Sequence, residues 1–285
     1  MIPSWPTLAV LIAVAVAMAA GGAFLLWRRS RRRRPAAPRR PAEPRLPVVL
    51  AHGLFGFDEI AMGGARHAYF RGVPDRLAES SWDVRLSRVP RAGSVEVRAR
   101  ELAAFVRSLD APKVNVVAHS MGGLDARYAI SRLGLSERVA SLTTVGTPHR
   151  GTPLADLGVG LSARVGLRRA LEAAGMRLDA FDDLTAARLE AFNVEVPDAP
   201  GVAYGCVVGA VRHRRQVNPL LLASYLYLRG RAGDNDGVVP AASQLWGNVL
   251  AQIEADHWAQ IGWSRRFDAG EFYAGLLREL RGRGF

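Results

Sequence analysis

Lys113-Val114-Asn115-Val116-Val117-Ala118-His119-Ser120-Met121-Gly122-Gly123 is the stretch that decides the fold. A short β-branched run ends abruptly in a serine among small residues, and a helical pattern follows at once. A serine on such a strand-to-helix turn projects its hydroxyl above the sheet, and the crowded backbone needs small neighbours. In the pattern G-x-S-x-G, Ala118 stands at the first position, a small substitute for glycine. Taken alone, Ser120 reads as readily as a helix cap before Met121-Gly122-Gly123.

The chain on either side alternates short apolar runs with helical periodicity, the signature of a mostly parallel sheet covered on both faces. Strands are predicted at 47–51, 82–87, 113–118, 139–145 and 202–208, and Gly237-Val238-Val239 ends or follows another. Leu102, Phe105, Val106 and Leu109 form a helical stripe within 94–109, and Leu124, Tyr128 and Leu133 mark the helix after Ser120. A last helix runs from about Asp268 to Leu280. Residues 152–200 break the alternation. Leu161, Val165, Leu167, Leu171 and Met176 suggest one amphipathic helix, and Leu184, Leu189 and Phe192 another. Such an insertion beyond a strand's carboxyl end is placed to act as a cap; the plainer reading is ordinary packing helices.

A serine hydroxyl is a poor nucleophile until a base takes its proton, and that base is usually a histidine oriented by a carboxylate. Among six histidines, His257 lies before the last helix and Asp236 lies upstream of it, giving the chain order Ser120, Asp236, His257. His149 is a rival base, and Asp234 and Asp256 are rival carboxylates. Attack on an ester carbonyl also needs two N–H donors for the oxyanion. Met121, next after the serine, and Leu54, in the His52-Gly53-Leu54 loop after the first strand, are the candidates. His52 reads as a structural hydrogen-bonding residue.

The 285 residues carry a net charge of +12 with 49% hydrophobic and 22% charged content, so a large core is available. The charge is unevenly spread. Residues 1–27 carry none, and 28–45 hold nine Arg and one Glu, leaving +4 for the chain from Leu46 on. The apolar run 7–27, after a short segment 1–6, has the length of a membrane-spanning helix. A cleaved signal peptide ending near Ala17-Met18-Ala19 is the competing reading. No basic residue precedes the run and Arg28, Arg29 and Arg31 to Arg34 follow it, which favours an uncleaved anchor with the arginines and the domain in the cytoplasm. No aromatic residue interleaves with these arginines, so anionic lipid is a better partner for them than nucleic acid. Residues 28–45 make an Arg/Pro-rich linker, and Pro35, Pro38, Pro41, Pro44 and Pro47 make 35–47 an extended spacer. Cys206 is the only cysteine; it excludes an intramolecular disulfide and reads as an inert core thiol.

Four segments together resemble the bacterial true lipases, the triacylglycerol lipase family: Val48 to Asp58, Val114 to Gly123, Val145 to Gly151 and Asn235 to Val239. Asp256-His257-Trp258 adds a weaker match. The resemblance covers residues 46–265 thinly, skipping the cap. It implies an α/β-hydrolase fold over 46–285 and carboxylic ester hydrolysis. It implies Ser120 as nucleophile, Asp236 as orienting acid, His257 as base, and Leu54 and Met121 as oxyanion donors. Those lipases commonly bind calcium through an Asp two residues after the histidine. Ala259 stands there in this chain, so no metal and no cofactor are expected. They are commonly secreted and often carry one disulfide, whereas this chain reads as anchored. The sequence thus describes a membrane-anchored serine ester hydrolase. Acyl transfer or thioester cleavage by the same triad is the alternative, followed by a non-catalytic scaffold that binds a membrane partner. Oligomeric state is not encoded legibly.

Overall fold

A computed structural model describes residues 46–54, 60–62, 65–67, 69–90, 93–164 and 179–285. The elements run β1 (Val48–Ala51), β2 (Ile60–Met62), β3 (Ala65–His67), α1 (Val73–Glu79), β4 (Val84–Leu86), α2 (Val95–Ser108), β5 (Val114–His119) and α3 (Gly122–Arg132). They continue as β6 (Val139–Val145), α4 (Pro153–Arg164), α5 (Asp179–Asp182), α6 (Ala186–Glu195), β7 (Ala203–Gly209), α7 (Leu222–Ala232), β8 (Asn248–Ile253) and α8 (Ala269–Gly282).

Six strands form one sheet in the order β4-β1-β5-β6-β7-β8, and every pairing is parallel. β2 and β3 make a separate antiparallel pair. Parallel strands need covering on both faces, and the period of two along β1 shows how this is met. Val48 and Leu50 turn to one side and pack with Val73, Leu77, Tyr273, Leu277 and Leu280 of α1 and α8. Val49 and Ala51 turn to the other side, against Ala99, Leu102 and Val106 of α2 and Ala126 and Ile130 of α3. Each fully buried leucine there contributes roughly 1.5–3 kcal/mol relative to exposure.

The chain leaves β1 toward β4 on one side and returns through β5 on the other. This reversal of winding falls between β1 and β5, and ligands of open α/β sheets bind beyond the carboxyl ends of the strands at such a point. The His52 loop and the Ser120 turn both lie at that point.

The expected strands at 47–51, 113–118, 139–145 and 202–208 are present to within a residue or so at each end. The strand expected over 82–87 is confined to Val84–Leu86, because Trp82 drops into the core beside Leu77. Gly237-Val238-Val239 does not end a strand. The amides of Val238 and Val239 both turn toward the Asp236 carboxylate, so no strand ladder forms there. The last strand is β8, a half-exposed edge with no clean alternation for a sequence reading to catch. Helix α7, buried mainly through Tyr225 and Leu228, was likewise not foreseen.

Helices α4, α5 and α6 occupy the interval between β6 and β7. Ala155, Ala180, Leu184, Leu189 and Phe192 pack onto Met121, Leu124 and Leu54, the residues surrounding the serine. Val165, Leu167, Leu171 and Met176 of the expected first cap helix lie outside the described residues, as does the apolar run 7–27. Among the described residues no helix is long and apolar enough to cross a membrane.

Candidate active site

Ser120 sits between β5 and α3 with φ at 57°, a left-handed conformation that non-glycine residues rarely adopt. Such a backbone costs on the order of 1–3 kcal/mol and persists only when its surroundings hold it. Three hydrogen bonds do so. Ser120 N–H donates to Val145 carbonyl at 2.9 Å, and its own carbonyl accepts from Thr147 Oγ1 at 2.7 Å and Gly123 N at 3.0 Å. Gly53 of the opposite loop lies so close that a Cβ there would stand 2.6 Å from Ser120 Cβ. The serine retains 9% of its surface.

Asp236 and His257 meet beyond the ends of β7 and β8. His257 Nδ1 donates to Asp236 Oδ2 at 2.8 Å, and His257 N–H donates to Asp236 carbonyl at 2.8 Å. The carboxylate is fully buried and takes three further donors: the amides of Val238 at 2.9 Å and Val239 at 2.7 Å on Oδ1, and Gln260 Nε2 at 3.0 Å on Oδ2. Four donors on one buried carboxylate fix its direction. With Nδ1 donating, Nε2 of the neutral ring is left as the acceptor. The His257 ring lies 4.5 Å, centroid to centroid, from the ring of His119, the residue before the serine.

The loop after β1 is held from beneath by Arg98 of α2. Its buried guanidinium donates to the carbonyls of His52 at 2.8 Å, Gly53 at 3.2 Å and Pro90 at 2.5 Å, and pairs with Asp125 of α3 at 2.8 Å. Burial outweighs the opposing pull of Arg98 and pushes the Asp125 carboxyl up to about 6. His52 Nδ1 also donates to Gly53 carbonyl, at 2.9 Å. In a trans peptide the N–H points away from its own C=O. Fixing the Gly53 carbonyl therefore fixes the direction of Leu54 N–H. Among the described residues, neither Leu54 N–H nor Met121 N–H donates to a protein acceptor.

A second chain of contacts runs through the floor of the site. Gly53 N–H donates to Tyr69 Oη at 3.1 Å, and Tyr69 O–H donates to His119 Nδ1 at 2.7 Å. Burial, reinforced by nearby His257, holds the His119 imidazole well below its usual range, so it is neutral. His119 Nε2 and Gln260 Oε1 are both buried without a hydrogen-bond partner. Gly146 and Gly209 leave the room that Gln260 fills, since a Cβ at either would strike its amide.

The rivals are placed elsewhere. His149 is fully buried, lies between Arg127 Nη1 at 3.3 Å and Thr144 Oγ1 at 3.1 Å, and stacks on Trp246. Asp234 pairs with Arg229 on the surface. Asp256 receives the amides of Trp258 and Ala259 next to it and of the distant Asn218, and burial raises its carboxyl. Cys206 is buried, and that burial raises its thiol. Tyr69, Arg98, Asp125 and Gln260 were missed from sequence. Each is a common residue type outside any motif, and its part arises only from long-range contacts.

The model of the α/β-hydrolase fold family matches residues 47–163. Triacylglycerol lipase 2 of Saccharomyces cerevisiae is 32% identical over 211 residues, covering 70% of this chain and 63% of the yeast protein. A triacylglycerol lipase of Vibrio cholerae is 41% identical over 115 residues, covering 39% of this chain and 35% of its own length. The chain thus spans less than two thirds of either relative. A crystal structure of a Bacillus licheniformis lipase superposes with a TM-score of 0.67 at 22% identity, covering 87% of this chain and 95% of that one, a likeness of fold. Fold and family match together define an α/β-hydrolase. Within that superfamily the similarity is to triacylglycerol lipases.

Proposed function

We propose that the protein is a serine hydrolase of carboxylic esters, lipase-like in substrate, with Ser120, Asp236 and His257 as its triad. The observation carrying this reading is the strained Ser120 turn at the same sheet edge as a four-donor Asp236 bound to His257. His257 Nε2 takes the Ser120 proton as Oγ attacks the ester carbonyl. The Oγ–C bond forms and the carbonyl electron pair moves to oxygen, where Leu54 N–H and Met121 N–H receive it. Collapse expels the alkoxide, which takes the proton from His257. Water then enters, gives a proton to the same nitrogen and releases the carboxylic acid from Ser120 by the reverse path. Asp236 keeps the imidazole in the productive tautomer and steadies its positive charge.

The same proposal divides the chain into a segment 1–6, an anchor 7–27, a linker 28–45 and a hydrolase domain 46–285 with a cap at about 152–200. It puts the protein in the cell membrane as a single-pass chain with its domain in the cytoplasm. The packing of α4 to α6 on Leu54 and Met121 supports an acyl group lying beneath that cap. The test is hydrolysis of a p-nitrophenyl ester series, acetate to palmitate, by the detergent-solubilised full chain. Ser120→Ala is expected to lower kcat by a factor on the order of 10⁶, since triad members act as a unit. A folded Ser120→Ala protein that keeps the wild-type rate would remove the mechanism.

A further inference from the structure

Many surface arginines have carboxylate partners: Arg76 and Arg278 meet Glu271, Arg85 meets Asp83, and Arg229 meets Asp234. One group does not. Arg212, Arg214 and Arg215 are exposed on the turn after β7, and Arg265 and Arg266 are exposed on the loop before α8. Arg266 Nη1 donates to the Arg215 carbonyl and joins the two loops into one face. Among the described residues none of these five guanidinium groups has a carboxylate within 4 Å. Asp268, the nearest acid in sequence, caps α8 through Glu271 N–H. These five charges exceed the +4 carried by everything from Leu46 onward, so the rest of the domain is close to balanced.

The position of the face bears on its use. Both loops follow the carboxyl ends of β7 and β8, and the loop of Arg265 and Arg266 continues directly from the one carrying His257. The nearby aromatic rings are already occupied. Trp263 lies under the Arg71 guanidinium at 5.5 Å, and Phe267 packs on Phe272. Among the described residues of these two loops no ring is left free for base stacking, which single-stranded nucleic acid would use. A fixed concentration of positive charge without stacking surface suits phosphate headgroups in a plane.

We propose that this arginine face seats the domain on an anionic bilayer surface and turns the Ser120–His257 edge of the sheet toward the lipid. It rests on the ester-hydrolase reading for its purpose, but not for its existence. The test uses the full chain reconstituted in vesicles of phosphatidylcholine alone or mixed with phosphatidylglycerol. His213→Cys, within the face, carries a polarity-sensitive dye, and the native Cys206 is too buried to label. A blue shift is expected with phosphatidylglycerol only, and it is expected to vanish near 1 M salt, where screening reaches about 3 Å. Neutralising Arg214, Arg215, Arg265 and Arg266 to Gln should weaken docking about fivefold per residue, and Lys at the same positions should restore it. Hydrolysis of a soluble short-chain ester should be unchanged in both variants, which also reports folding. Equal emission on both lipids, or a shift produced by added RNA and not by phosphatidylglycerol, would overturn the proposal. An inactive wild-type chain that still docks would instead sink the hydrolase reading alone.

Discussion

Replacing Arg98 separates the stability of the fold from the readiness of the site. Arg98→Met leaves Asp125 buried without its partner, and breaking a buried pair in this way costs roughly 3–5 kcal/mol. It also frees the carbonyls of His52 and Gly53. In Arg98→Met/Asp125→Leu the charge is removed from both sides, and an apolar pair of similar volume is often neutral. Recovery will be partial, since the Pro90 and His52 carbonyls lose their Arg98 donor at about 1–3 kcal/mol for each left unsatisfied. Catalysis should not recover with stability. The Gly53–Leu54 peptide would be held only by His52 Nδ1, and losing a well-aimed oxyanion donor costs about 10²–10³ in rate. Urea unfolding followed by tryptophan fluorescence gives the first quantity, and kcat/KM on p-nitrophenyl butyrate the second. The expected pattern is a single variant that is unstable and slow, and a double variant that is more stable and equally slow. A double variant with wild-type kcat/KM would refute the idea that Arg98 aims Leu54 N–H.

Two further outcomes follow from the same contacts. Gln260→Leu removes one of four donors to Asp236 while filling similar space; kcat should fall roughly 10- to 100-fold with KM nearly unchanged, as for a charge-assisted hydrogen bond of about 1.5–3 kcal/mol, and steady-state kinetics with an unchanged kcat would count against a positioning role. Asp125, raised from 3.8 to about 6, binds its proton more tightly in the folded state than in the unfolded one. Stability from this group is therefore full below about pH 4 and declines as pH rises toward 6, by up to about 3 kcal/mol. Asp125→Asn should flatten that part of the urea-midpoint profile, and an identical slope in both proteins would argue against it.

Much of the site was legible because its residues sit in local patterns that physics restricts. A nucleophile on a strand-to-helix turn needs small neighbours, so Ser120 stands out among its flanking residues. The loop 52–54 follows an apolar run, and the stretch 234–239 carries turn residues. What escaped notice had no local constraint to announce it. Strand β8 is half exposed at an edge and lacks alternation, and α7 buries only a narrow stripe. The stretch 237–239 looked like a strand end because Val238 and Val239 are β-branched. Their amides instead serve the Asp236 carboxylate, which outcompetes a ladder that has no neighbouring strand.

The sequence by itself determined the α/β class, the serine turn and the uneven charge of the chain, and it offered the order Ser120, Asp236, His257 as a candidate. These follow from composition, period and short-range sterics, which act between neighbours in the chain. Only the tertiary structure set Asp236 against His257, left Asp234 on the surface and buried His149 beside Arg127, because burial and donor geometry depend on which distant groups converge. It alone brought Arg98 beneath Gly53, Gln260 onto Asp236, and Arg215 beside Arg266. Those contacts join residues 24 to 51 positions apart, and no local preference encodes a partner at that distance.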